Sequence, residues 1–150
     1  MSSFIISLMP LILMIILIIA SLFDLFNQMT IPLSLGVIAL LLRGTEIIIF
    51  EKDKMLECLL IGVALGVLFF VGALLGAYGG ADSVYAMIVG FYLGYYGMYA
   101  VLISSVLSLP YALYLKKKKD KGDIKNAAYP FVPYLLVGTT LVVLWKGVLF

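Results

Sequence analysis

Long apolar runs broken by short polar stretches dominate the chain. The first run extends from Phe4 to Phe23, close to the roughly 20 residues that one helix needs to cross a hydrocarbon core. Pro10 inside it is tolerated in a membrane helix. A second helix is predicted to open at Ile31-Pro32, since proline suits the first turn. It runs to Leu42, or to Phe50 if Arg43 and Glu46 pair across one turn. Glu51 to Glu57 reads as a polar turn, and Cys58 to Tyr78 as a third span. Ser83 to Leu115 is apolar throughout, which as a single helix would be roughly 50 Å long against a core of about 30 Å. Two helices with a turn near Gly94-Tyr-Tyr-Gly97 fit better. Phe131 to Leu149 forms the last span.

Composition agrees with this pattern. The 150 residues are 65% hydrophobic, and charged residues make up 12%, against about 25% in an ordinary globular chain. Mean hydropathy is +1.21. These values predict an all-α, polytopic integral membrane protein with six transmembrane helices in a single membrane-embedded domain, residues 1–150. A cleavable signal peptide is not expected, because the first run exceeds a secretory core of roughly 7–15 residues and no basic segment precedes it. No internal repeat is visible, which gives an inverted-repeat transporter little support.

Charge distribution sets an expected orientation. Six of the ten basic residues fall between Lys116 and Lys125, and lysine-rich loops stay cytoplasmic. Two spans separate Asp24 from Asp82, and two more separate Asp82 from the lysines. Both aspartates are therefore expected at the cytoplasmic face of the cell membrane.

Those two aspartates are the conspicuous chemical groups. Each lies near the end of a long apolar run, where an ionisable side chain is costly unless paired, hydrated or protonated. Cys58 is the sole cysteine, so no internal disulfide can form. Histidine is absent, as is Cys-x-x-Cys, so neither a metal nor a haem cofactor is expected. Mechanisms that pair serine or cysteine with histidine are excluded likewise. Nucleic-acid binding by the lysine run is remote beside its role as a topology signal, with contact to anionic lipid second.

Three segments in register resemble the type IV prepilin peptidases, and most closely the short archaeal preflagellin peptidases, within the GxGD membrane aspartyl proteases. Asp24, followed by Ile31-Pro32 opening the second span, is similar to the first motif. Gly79-Gly80-Ala81-Asp82 resembles GxGD, with alanine in place of the second glycine. Pro130-Phe131-Val132-Pro133 resembles the Pro-Phe-x-Pro string that opens the last helix. The first motif lacks the basic residues common between the aspartate and Ile-Pro, and its proline comes one position late. The cysteine-rich region of bifunctional bacterial members is also missing, so the resemblance implies peptidase activity alone.

It further implies a metal-free aspartic endopeptidase in which Asp24 and Asp82 are catalytic. The substrate would be a precursor with a short basic leader and a hydrophobic helix lying in the lipid bilayer. Gly79 and Gly80 would make room for the extended peptide, and Pro130 and Pro133 would border it. Asp120 and Asp123 are candidates to attract the basic leader. Two rival functions stand beside this: a presenilin-like intramembrane protease, and a small transporter or scaffold subunit without enzymatic activity.

Other features have simpler explanations. Gly62/Gly66, Gly72/Gly76 and Gly90/Gly94 match close helix packing. Tyr92, Tyr95, Tyr96 and Tyr99 read as a membrane-interface belt, as do Tyr111 and Tyr114. Arg43 and Glu46 read as a shallow ion pair, Cys58 as packing, and Asp82 alone as a helix cap.

Overall fold

The computed structural model describes residues 2–27, 33–75, 79–120 and 129–146, apart from the side chains of residues 2–7, 27, 119 and 120. The described residues form six α-helices and one 3-10 turn, with no strand among them: α1 (Ser2–Asn27), α2 (Leu33–Phe50), the turn Lys52–Lys54, α3 (Met55–Leu74), α4 (Gly80–Leu93), α5 (Tyr95–Asp120) and α6 (Val132–Lys146). Four segments are long and apolar enough to cross a membrane: Leu8–Phe26, Leu33–Phe50, Lys52–Leu74 and Tyr95–Lys118. α4 and α6 are shorter apolar helices of 14 and 15 residues. Large side chains such as Leu60, Leu68, Leu74 and Trp145 stand exposed over much of the surface. A soluble monomer rarely leaves so continuous an apolar face open to water.

The division of the Ser83–Leu115 stretch falls where the sequence places it. Gly94 ends α4 with φ +55, a conformation that costs a side-chain-bearing residue but not glycine. Its N–H donates to the carbonyl of Gly90 at 2.8 Å, and α5 begins at once. Gly94 is thus a turn residue rather than half of a packing pair.

Short α4 forms the centre of the bundle and packs against each of the other five α-helices. Tyr85, Ala86, Ile88 and Val89 on it are buried almost completely. Small residues permit its closest approach. A Cβ placed on Gly90 would lie 2.9 Å from the Cα of Gly62 in α3, so the two backbones nearly touch. Gly66 meets Met87 in the same crossing. Around this centre α1 packs on α6, and α6 on α5.

Three expectations need correction. Tyr92 is buried, not interfacial: its hydroxyl donates to the Ala39 carbonyl at 2.9 Å and ties α4 to α2. Arg43 and Glu46 do pair, carrying α2 on to Phe50, but the pair is buried rather than shallow. The basic stretch is not all loop, because α5 continues through Lys116–Lys118 to Asp120. Lysine is a good helix former, so nothing local stops the helix there. Residues 121–128, including Asp123, lie outside the described residues, as do Ile31-Pro32, Tyr78 and the side chain of Asp120.

Candidate active site

The helices alternate in direction, so residues distant in sequence collect at the same end of the bundle. Asp24 lies in the last turn of α1 and Asp82 in the first turn of α4. The start of α6 and the lysine-bearing end of α5 belong to this end as well. Asp24 is 8% exposed and Asp82 3%. Burial this deep exceeds what a headgroup-level carboxylate would show, so neither is an ordinary helix-end acid in solvent.

Each carboxylate is held by a backbone amide. Oδ2 of Asp82 accepts the N–H of Gly79 at 2.8 Å, and the Asp82 N–H returns to the Gly79 carbonyl at 3.1 Å. This is the N3 half of a capping box, with Gly79 as the extended N-cap residue (φ −77, ψ 149). Asp82 therefore caps from inside the helix rather than preceding it. Ser83 adds a bond from its hydroxyl to the Gly80 carbonyl at 2.6 Å.

Asp24 is anchored across the bundle, where its Oδ2 accepts the N–H of Val132 at 3.1 Å. Val132 is the first residue of α6, and the first intrahelical bond runs from the Leu135 N–H to the Phe131 carbonyl at 3.0 Å. N–H groups in a first helical turn have no partner inside the helix, and proline lacks one altogether. Pro133 therefore sacrifices nothing at the second position, while the Val132 N–H remains to be satisfied by a carboxylate. Negative charge is favoured at such a terminus. Sequence reasoning singled out Pro130 and Pro133 but missed Val132 between them; a side chain carries no signal of a main-chain contact.

α1 packs directly on α4, which brings the helix ends that carry the two carboxylates to the same side of the bundle. The chain thus brings Asp24, Asp82, Gly79, Gly80, Pro130 and Pro133 to one end of the bundle. A Cβ on Gly80 would meet nothing within 4 Å, so space is open beside it. A Cβ on Gly79 would come within 3.3 Å of the Asp82 carboxylate. Phe131 packs its ring on Phe69 of α3, 5.0 Å between centroids, and fixes the segment that presents Val132.

The opposite end holds a second polar region. Arg43 joins Glu46 and, at 2.9 Å, Glu51, which also accepts from Lys54 Nζ at 2.8 Å. Burial of Glu51 works to raise its pKa. The Lys54 hydrogen bond and the charges of Arg43 and Lys54 outweigh it and hold the group below its ordinary value. Beside this network a cavity of about 230 Å³ is lined by Arg43, Glu51, Glu57, Tyr92 and Lys146 among others. Among the described residues no three His, Cys, Asp or Glu side chains cluster to hold a metal ion.

Comparison with family models, curated proteins and solved structures gave no match.

Proposed function

We propose that this chain is a six-span aspartic endopeptidase of the prepilin-peptidase type. It removes a short basic leader from precursors that carry a hydrophobic helix, at the cytoplasmic face of the cell membrane. The observation that carries the proposal is the pair of buried carboxylates, Asp24 and Asp82, at one end of an apolar bundle in which their helices, α1 and α4, pack directly on each other. Burial of two acids in so apolar a chain is expensive, and function is the usual reason to retain such groups.

Two adjacent carboxylates resist ionising together, so the pair holds one proton and one negative charge. The ionised member takes a proton from a water molecule, whose oxygen attacks the scissile carbonyl. The protonated member donates a hydrogen bond to that carbonyl oxygen and then gives its proton to the leaving amine as the C–N bond breaks. The pair titrates as one unit, and the roles belong to it jointly. The amides of Gly79 and Val132 fix the orientation of the two carboxylates. Open space at Gly80 admits an extended peptide, and the precursor's helix lies in the bilayer beside the bundle.

One observation favours a second reading. Both carboxylates also cap helices, Asp82 on α4 and Asp24 on α6, which a scaffold subunit would equally need. The two readings part in a direct assay. Membranes containing the protein are given a precursor with a basic leader and an apolar helix, and the products are sequenced from their new N-terminus. A single cut at the leader–helix junction supports the peptidase. An uncut precursor supports the scaffold, and a cut within the helix supports the presenilin-like alternative.

A further inference from the structure

Four tyrosines from two separate stretches of chain converge at the aspartate end. The rings of Tyr129 and Tyr134 are nearly parallel, 9° apart with centroids at 6.3 Å. Tyr111 of α5 stacks on Tyr129 at 6.1 Å and 27°, and Tyr114 on Tyr111 at 6.4 Å and 28°. This row adjoins the site directly. Tyr129 touches Phe131 at 6.4 Å, and the next residue, Val132, supplies the amide that holds Asp24. Tyr111 and Tyr114 keep 37% and 56% of their surface exposed, so the outer part of the row is open.

An aromatic belt at the membrane surface requires rings at one depth; it does not require them to stack into a continuous row leading to a buried carboxylate. The row has a further property: a ring face carries partial negative charge and attracts a cation without itself being charged. Lys118 already uses this, with its Nζ 5.6 Å from the centre of the Tyr114 ring. The chain's own ammonium thus occupies the place where an incoming one would rest.

We propose that the Tyr111–Tyr114–Tyr129–Tyr134 row binds the lysine or arginine side chains of the substrate's leader, with Lys118 as the resident cation they displace. This assignment rests on the peptidase reading and specifies how that site recognises its substrate. Aromatic faces suit the task here because a carboxylate placed close by would add a second negative charge beside the Asp24–Asp82 pair, which already carries one.

The test uses the full chain in lipid nanodiscs and two synthetic precursors, identical except that the leader carries two lysines or two glutamines. Wild type should cleave the lysine precursor with a KM lower by about fivefold, the size expected of cation–aromatic contact at a partly exposed site. Tyr111→Leu/Tyr114→Leu should raise KM for the lysine precursor to that of the glutamine one and leave kcat unchanged. Tyr111→Phe/Tyr114→Phe, which keeps the rings, should restore the preference. Lys118→Gln should lower KM for the lysine precursor alone, and an unchanged value contradicts the displacement. Equal KM for both precursors in wild type, or an equal rise on both in the leucine variant, overturns the assignment. Cleavage of neither precursor overturns the peptidase reading, and this inference falls with it.

Discussion

The backbone N–H of Val132 donates to Oδ2 of Asp24 at 3.1 Å, joining the end of α1 to the first turn of α6 across 108 positions of sequence. That bond gives the Pro130-Phe131-Val132-Pro133 string a physical task, which is to hold one amide at a fixed place. Val132→Pro removes the donor while keeping a residue that helices accept in their first position. The variant should insert and fold, yet process a precursor roughly ten- to a hundredfold more slowly, the scale of a lost hydrogen bond to a charged group, about 1.5–3 kcal/mol. Val132→Ala keeps the amide and should process normally. Rates measured side by side in isolated membranes check this.

The glycines beside Asp82 should differ in their response. Gly80→Ala meets open space, so the protein itself accepts the methyl group and any slowing reports crowding of the bound peptide. Gly79→Ala places its methyl group 3.3 Å from the Asp82 carboxylate, which must shift by a few tenths of an ångström. We expect Gly79→Ala to lower kcat and Gly80→Ala to raise KM, with both variants keeping wild-type thermal stability to within about 1 kcal/mol. Steady-state kinetics on one precursor separates the two effects.

Much of the fold is legible along the chain. Apolar runs of spanning length mark the four long helices, and Gly94 marks the break between α4 and α5 because the chain there needs a positive φ. The three-residue spacing of Arg43 and Glu46 correctly carries α2 through an otherwise interrupting pair of charges. Depth is what the pattern hides. Tyr92 and Arg43 sit beside polar or aromatic neighbours in sequence, yet their surroundings are set by α4 passing through the middle of the bundle. The aspartates were conspicuous as isolated acids among apolar residues, whereas their anchors, the amides of Gly79 and Val132, leave no trace in residue type.

Close packing of α3 on α4 sets the position of Asp82, and Gly90 is its tightest point. Gly90→Ala would place a methyl group 2.9 Å from the Gly62 backbone, where no flexible side chain can yield. The helices must separate, at a cost of about 1–3 kcal/mol. Thermal unfolding in detergent should show the loss, and cleavage should fall with it because the first turn of α4 moves too.

The charge network at the opposite end should affect stability and leave chemistry alone. Arg43→Met leaves Glu46 without its cation and Glu51 with Lys54 alone, and should cost about 3–5 kcal/mol, while replacing both acids by leucine as well should recover most of it. Glu51 also gives a pH signature. Its folded pKa lies below its ordinary value of 4.5, so its contribution is fully present above pH 4.5 and fades as pH falls below that value toward the lowered one. Glu51→Gln should flatten that acid limb of the stability curve while the neutral-pH cleavage rate stays at wild type.

Everything turns on two acids acting jointly upon one water. The most direct measurement is the cleavage rate of a leader-bearing precursor by Asp24→Asn and Asp82→Asn, each inserted in membranes at wild-type level and compared with the unaltered protein. Asparagine keeps the shape and still accepts the Val132 or Gly79 amide through its carbonyl oxygen, so the helix caps survive. The account predicts that either substitution alone abolishes processing while thermal stability changes little. Substantial cleavage by either variant would contradict it.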